Sequence, residues 1–182
     1  MQRIIKTVTA KEMEPSLDFV EKVFTDSEGE ENGKLVRRLT AEIRSKKYHL
    51  PELDLIMVDE NNDIIGFVLF SRFHIEGRYE DKMLLLSPVA VKTELQRQHI
   101  SKELIEYGLN KAKELGYGFC MVEGNPQNYR ARGFVTSAKF GVFAAESVGL
   151  PHEDCLMIQE LAPGALDDVH GYIEYSFYEN LT

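Results

Sequence analysis

The sequence of 182 residues predicts a single α/β domain in which helices flank a central sheet. Apolar runs of strand length alternate along the chain with segments whose apolar residues recur at helical spacing. Hydrophobic residues make up 43% of the chain and charged residues 28%, which is typical of a globular protein and not of a disordered one. Because no repeat, linker or low-complexity tract divides the chain, residues 1–182 are expected to form one domain.

The first elements are predicted to be a strand and two helices. Residues 4–8 read as a strand, and the apolar residues within 17–24 line one face of the helix that follows. Residues 26–33 are acidic and almost free of apolar side chains, so they predict a loop. A second helix is predicted at about residues 34–46, where leucine and isoleucine side chains line one face.

The middle of the chain predicts three strands. Residues 53–58 and 64–73 lie on either side of a tight polar turn, which is a clear hairpin signal. Residues 82–91 form the predicted central strand. Pro88 has no N–H group to donate to a ladder, so a break or bulge is expected at Ser87-Pro88.

The part of the chain after the central strand predicts two helices around a fifth strand. The pattern over residues 100–115 is that of an amphipathic helix ending at Gly116, a suitable C-cap. The apolar run at residues 119–122 predicts the strand, and a short helix is expected at about residues 126–131.

The last predicted elements are strands. Residues 139–144 and 156–161 are expected to form a final antiparallel pair. The tail, residues 162–182, is treated as a C-terminal extension with an extra strand at residues 170–177.

The composition argues against several classes of protein. A formal net charge of −9 without a basic stripe argues against nucleic acid as a partner. No apolar stretch approaches the roughly 20 residues that span a bilayer, and the N-terminus lacks the apolar block of a signal peptide. Cys120 and Cys155 lie in apolar, strand-like surroundings, which favours buried free thiols in a reducing cytoplasm over a disulfide or a catalytic pair. The histidines are scattered, so we expect no metal.

The segment from Leu84 to Phe134 carries most of the functional information. It places an apolar run, a short polar turn and an amphipathic helix in the order of a known anion-binding arrangement, and it ends in Tyr129-x-x-x-Gly133-Phe134. It resembles motifs A and B of the GNAT superfamily of acyl-CoA-dependent N-acetyltransferases. The element order β-α-α-β-β-β-α-β-α-β-β is similar to that of the GNAT fold, which implies a mixed, mostly antiparallel central sheet with a splayed strand pair. The tail looks like the ending of a group of predicted bacterial N-acetyltransferases.

The resemblance implies that acetyl-CoA is a co-substrate bound at the polar turn. The pyrophosphate loop of the family is usually written (Gln/Arg)-x-x-Gly-x-(Gly/Ala), and here both small positions are altered, to His99 and Ser101. Histidine tolerates positive φ better than most side chains, so the backbone path of the loop is expected to survive. The alternative is a polar turn that only caps a helix. The candidate residues of the cofactor loop are Gln96, Arg97, Gln98, His99, Ile100, Ser101 and Lys102.

The strand before this loop supplies further candidates by the same resemblance. Main-chain groups of Val89, Ala90 and Val91 would bind the pantetheine arm, and one N–H group would polarise the thioester carbonyl. The alternative is an ordinary buried strand, and both can be true. Asn125, at the start of the short helix, is retained as a cofactor-binding candidate, although a helix cap is the simpler interpretation.

Two catalytic candidates remain. Tyr129 stands where many family members place the tyrosine that protonates the departing coenzyme A, and the alternative is a tyrosine packed at the sheet edge. Glu123, at the end of the fifth strand, is the candidate for the base that removes a proton from the acceptor amine. His74 and Glu76, at the end of the third strand, are alternatives to Glu123. The non-catalytic alternative for all three is a solvated residue at a strand end.

The sequence therefore predicts a cytoplasmic enzyme that transfers an acetyl group from acetyl-CoA to a primary amine. The acceptor would be a small-molecule amine or a peptide amino group, without nucleic-acid or membrane partners, and a homodimer stays open. The alternative is a non-catalytic GNAT-fold module that binds acyl-CoA or senses an effector.

Overall fold

The structure, a computed structural model, describes residues 2–181. Its strands are β1 (Ile4–Thr7), β2 (Asp54–Val58), β3 (Ile64–Arg72), β4 (Met83–Val91), β5 (Phe119–Glu123), β6 (Val135–Thr136), β7 (Val142–Ala144), β8 (Leu156–Glu160) and β9 (Gly171–Ile173). Its α-helices are α1 (Met13–Glu28), α2 (Glu30–Ser45), α3 (Ile100–Glu114) and α4 (Pro126–Arg130). No helix within the described part of the chain is long and apolar enough to span a membrane.

The strands form one large sheet and one small pair. Seven strands follow the order β1-β2-β3-β4-β5-β8-β6, and β7 pairs with β9. The pairs β1–β2, β2–β3, β5–β8 and β6–β8 are antiparallel, whereas β4–β5 and β7–β9 are parallel. The predicted single α/β domain with a mixed, mostly antiparallel sheet flanked by helices is therefore confirmed.

The chain divides into two compact units. The first contains the described residues up to Phe70 together with Ser87–Gly108. The second contains Ser71–Leu86 and the described residues from Leu109 onward. The boundary of a C-terminal extension at residue 162 stays a prediction.

The first unit is built around the helix pair α1 and α2. The two helices pack against each other and bury Leu17, Val20, Leu39 and Ile43. Their amphipathic patterns explain this, because the apolar residues of each helix recur at intervals of three and four. The predicted loop over residues 26–33 is wrong.

A single glycine separates the two helices. Gly29, with φ of 95°, ends α1 and precedes α2. Its N–H group bonds to the carbonyl of Thr25 at 3.0 Å, as in a helix C-cap. The acidic residues that suggested a loop lie within helical turns, where Glu30 pairs with Lys34 one turn away. Acidic composition alone therefore did not distinguish a loop from an exposed helix surface.

The second unit contains β5 and β8, paired from Phe119↔Glu160 to Glu123↔Leu156. The tail packs onto the residue after β3 through aromatic rings. The ring of Phe73 stacks on Tyr178 with centroids 5.8 Å apart and lies 6.1 Å from the ring of Tyr175. All three side chains are buried, so the tail belongs to the core of this unit.

The predicted final antiparallel pair is also wrong. β7 pairs in parallel with β9 in the tail, and β8 pairs with β5 and β6 instead. Residues Ser137–Phe140 form a 3-10 helix, and Gly141, with φ of 75°, redirects the chain into β7. Pairing between strands distant in sequence is not encoded in local alternation, which explains the error.

Candidate functional site

The polar turn before α3 has the backbone path expected of a glycine-containing loop. Arg97 and His99 have φ of 63° and 65°, in the left-handed region that non-glycine residues rarely adopt. Positive φ at His99 was predicted from the sequence and is confirmed; positive φ at Arg97 was not. The helix ladder begins with the N–H group of Glu103 bonded to the carbonyl of His99 at 2.9 Å. The preceding main-chain N–H groups therefore point out of the end of α3.

Two residues that sequence reasoning missed hold this turn in place. The guanidinium group of Arg3 donates to the carbonyl of Gln98 at 3.0 Å and lies 3.2 Å from the carboxylate of Glu103. Gly66 on β3 lets the first turn of α3 approach the strand, because a Cβ atom there would lie 2.7 Å from side-chain atoms of Ile100 and Leu104. An isolated glycine in a strand pattern signals such a close approach, whereas nothing local in the sequence indicates the role of Arg3.

Strand β4 leads into this turn. It includes Ser87-Pro88, whose peptide bond is cis, and it continues to Val91. Ala90 is buried, while Val89 and Val91 are half-buried. The parallel pairing of β4 with β5 ends at Leu85↔Met121, so the expected interruption falls on the pairing and not on the strand itself. This agrees with the predicted splayed strand pair.

The end of β5 carries Glu123, whose side chain has a specific partner in the tail. The hydroxyl of Tyr175 donates to Glu123 Oε2 at 2.8 Å. Burial raises the pKa of Tyr175, and the negative charge of Glu123 raises it further. Tyr175 is therefore a fixed hydrogen-bond donor to this carboxylate. Tyr175 and Glu123 are 52 residues apart in the sequence, so no local pattern reveals this hydrogen bond.

Asn125 begins the short helix α4 as a cap. Its side-chain oxygen accepts from the N–H group of Gln127 at 3.0 Å, as the simpler interpretation of the sequence holds. Its role toward a cofactor stays a prediction.

Tyr129 lies on α4 and packs against its neighbours in the chain. Its ring contacts that of Phe134 edge to face, with centroids 5.7 Å apart. A Cβ atom on Gly124 would stand 2.6 Å from Cε2 of Tyr129, so the ring requires glycine at that position. Burial raises the pKa of Tyr129 above its usual value near 10. The hydroxyl is therefore protonated at neutral pH.

The two alternative bases, His74 and Glu76, interact with neighbouring residues of the same turn. His74 accepts the N–H group of Gly77 at its Nδ1, at 2.9 Å. Glu76 is paired with Arg78 at 3.0 Å. Among residues 2–181, no group of three or more histidine, cysteine or acidic side chains is arranged to hold a metal ion.

The chain resembles acetyltransferases in sequence. The profile of the acetyltransferase (GNAT) family matches residues 17–141. The chain is also 30% identical over 129 residues to the uncharacterized N-acetyltransferase YhbS of Escherichia coli K12, in an alignment that covers 70% of this chain and 74% of YhbS.

Solved structures show the same fold. The GNAT family N-acetyltransferase YhbS from Escherichia coli, in complex with CoA, matches with a TM-score of 0.81 at 22% identity, covering 96% of this chain and 90% of that chain. A GNAT family acetyltransferase from Brucella melitensis, in complex with acetyl-CoA, matches with a TM-score of 0.67 at 22% identity, covering 96% of both chains. The family profile spans more than half of the sequence, and this chain therefore belongs to the acetyltransferase (GNAT) family.

Proposed function

We propose that this protein transfers the acetyl group of acetyl-CoA to a primary amine. The observation that carries the proposal is the left-handed backbone of Arg97 and His99 directly before α3. The family pattern has glycine where His99 stands, and glycine is favoured where a loop needs positive φ and close approach to a ligand. His99 adopts positive φ without glycine, so the altered residue type does not prevent the loop from having this shape.

In this proposal the turn binds the pyrophosphate of the cofactor. The residues Gln96–Lys102 would contribute main-chain N–H groups at the start of α3, and the helix dipole favours negative charge there. The side chains of Arg97 and Lys102 would add positive charge. Main-chain groups of Val89, Ala90 and Val91 would hold the pantetheine arm.

The reaction forms one carbon–nitrogen bond and breaks one carbon–sulfur bond. An amine arrives mostly as an ammonium ion, so a base must remove a proton before the nitrogen attacks the thioester carbon. We assign that role to Glu123, whose carboxylate is held by Tyr175. Tyr129, whose hydroxyl is neutral because burial raises its pKa, would give its proton to the departing thiolate. It would regain a proton from the nitrogen, which loses its second proton as the amide forms.

Two further observations support the cofactor and the location. The related structures from Escherichia coli and Brucella melitensis are complexes with CoA and acetyl-CoA, respectively. Cys120 and Cys155 are free thiols, which is the usual state of cysteines in a reducing cytoplasm.

The test is release of free thiol from acetyl-CoA in the presence of a panel of primary amines and peptides with free amino groups. We expect amine-dependent thiol release together with an acetylated product of the matching mass. Coenzyme A binding by calorimetry without turnover on any amine would favour the non-catalytic acyl-CoA-binding module, which the altered positions His99 and Ser101 also suggest. Absence of both binding and turnover would reject the proposal.

A further inference from the structure

A cavity of about 370 Å³ lies beside the end of β5, within the second unit. Its size is within the range of small-ligand pockets, roughly 300–1,000 Å³. Glu123 lines one part of it, and the tail residues Glu174 and Tyr175 line another. The tail is therefore part of the wall of a concave site as well as part of the core.

The charged side chains that line the cavity are all acidic. Among the described residues that line the cavity, Glu123 and Glu174 are charged and none is lysine or arginine. The main-chain N–H group of Ser176 donates to Glu174 at 2.9 Å, and bonds from Ser176 hold the pKa of Glu174 below its usual range. Glu174 is therefore a carboxylate at neutral pH, and the cavity favours a cation.

The wall formed by the tail is held firmly. Tyr175 is buried between the aromatic ring of Phe73 and the carboxylate of Glu123. Its hydroxyl uses one acceptor position of Glu123, and a carboxylate offers about four such positions. Glu123 therefore keeps the capacity to accept a hydrogen bond from a ligand.

The residue proposed to protonate the leaving group, Tyr129, does not line the cavity, but it packs beside the end of β5. Glu123 is followed directly by Gly124, and the ring of Tyr129 packs against Gly124. A ligand beside Glu123 would therefore lie at the same end of β5 as Tyr129. This is where an acceptor has to be if Glu123 removes its proton.

We propose that this cavity binds the acceptor and that it selects a small diamine, with Glu123 receiving the reacting amine and Glu174 binding the second ammonium group. The inference rests on the proposed function and adds the chemical class of its acceptor. It assigns the tail a role in specificity. An amino acid acceptor would place a carboxylate against this acidic wall and is disfavoured.

The experiment compares three acceptors of similar length: 1,4-diaminobutane, butylamine and 4-aminobutanoate. In the native protein we expect kcat/KM to fall in that order. Glu174→Gln should reduce the preference for the diamine over butylamine by roughly 10- to 100-fold, the range for losing one charge-assisted hydrogen bond. Glu179→Gln removes the same charge from the tail outside the cavity and should keep the native preference.

A direct measurement of amine binding tests the inference without requiring turnover. Calorimetry with coenzyme A present should show 1,4-diaminobutane binding to the native protein more tightly than butylamine, and Glu174→Gln should remove the difference while its unfolding midpoint stays near the native value. Equal binding of the two amines, or a preference that Glu174→Gln leaves intact, overturns the inference. If thiol is released with butylamine but the diamine has no advantage, the inference fails while the proposed function stands. If no amine releases thiol, the proposed function fails. Selective binding of the diamine would then still support the cavity as a diamine-binding site.

Discussion

Gly124 and Tyr129 are coupled by shape: a Cβ atom at position 124 would stand 2.6 Å from Cε2 of the tyrosine ring. The main-chain N–H group of Gly124 also bonds to the carbonyl of Cys155 at 2.9 Å, which limits how far its backbone can move. An added methyl group would therefore displace the ring and not the strand. The position of the tyrosine hydroxyl depends on a residue that has no functional group of its own.

Gly124→Ala should therefore lower kcat while the fold is kept. Overpacking of this kind typically costs about 1–3 kcal/mol of stability, which urea unfolding would measure. If Gly124 acts through Tyr129, the double variant with Tyr129→Phe should lose no more activity than Tyr129→Phe alone. Fully additive losses in this double-mutant cycle would show that Gly124 affects the reaction by another route.

Tyr129→Phe removes one hydroxyl group and little volume. If the hydroxyl protonates the leaving thiolate, kcat should fall by roughly 10²- to 10⁴-fold while the affinity for coenzyme A hardly changes. Steady-state kinetics on a working acceptor and calorimetry with coenzyme A measure the two quantities. A variant with native kcat would remove Tyr129 from the mechanism.

The turn before α3 can be tested through His99, which has φ of 65°. His99→Gly should preserve or tighten coenzyme A binding, because glycine adopts this conformation without strain. His99→Glu should weaken binding, because it places negative charge beside the phosphates. Calorimetry on both variants is the measurement, and an unchanged affinity in the glutamate variant would reject this turn as the pyrophosphate site.

Breaking a buried ion pair should destabilise the first unit. Arg44 Nε lies 2.8 Å from Asp54 Oδ2, and both side chains are almost fully buried. Asp54→Asn leaves the guanidinium charge without its counter-charge and should cost about 3–5 kcal/mol in the free energy of unfolding. Asp18→Asn is the matched control, because the Asp18 carboxylate pairs with Arg37 nearer the surface and its loss should cost much less. Equal losses in the free energy of unfolding for the two variants, measured by urea unfolding, would contradict the special contribution of the buried Arg44–Asp54 pair.

Glu12 should make stability depend on pH. Its carboxylate accepts from the hydroxyl and N–H groups of Thr9 and pairs with Lys6, and these bonds lower its pKa from 4.5 to about 2. Because the folded pKa is below the unfolded value, the contribution is complete above about pH 4.5 and is lost as the pH falls toward 2.

Unfolding midpoints measured from pH 7 to pH 2 test this expectation. Glu12→Gln should be less stable than the native protein at pH 7, and the difference should shrink between pH 4.5 and pH 2. A difference that stays constant across this range would show that Glu12 acts through something other than its charge.

The sequence by itself determined the elements whose signals are local. The hairpin of β2 and β3, the helix α3 and its end at Gly116 agree with prediction to within about two residues, because turn residues and apolar periodicity act over a few positions. The positive φ at His99 belongs to the same class, since it follows from one position in a short motif. The candidate loop and the role of Tyr129 came from the resemblance of residues 84–134 to family motifs, and Glu123 came from its position at the end of the predicted fifth strand.

Only the tertiary structure decided the contacts between residues far apart in the chain. The pairing of β7 with β9, the bond from Arg3 to Gln98 and the bond from Tyr175 to Glu123 each join residues separated by dozens of positions. Such contacts depend on which surfaces meet when the chain packs. The residues next to a side chain in the sequence do not determine which surfaces those are. Local patterns and family motifs therefore located the candidate catalytic residues, whereas long-range packing decided that Tyr175 binds Glu123 and that Glu123 lines the cavity.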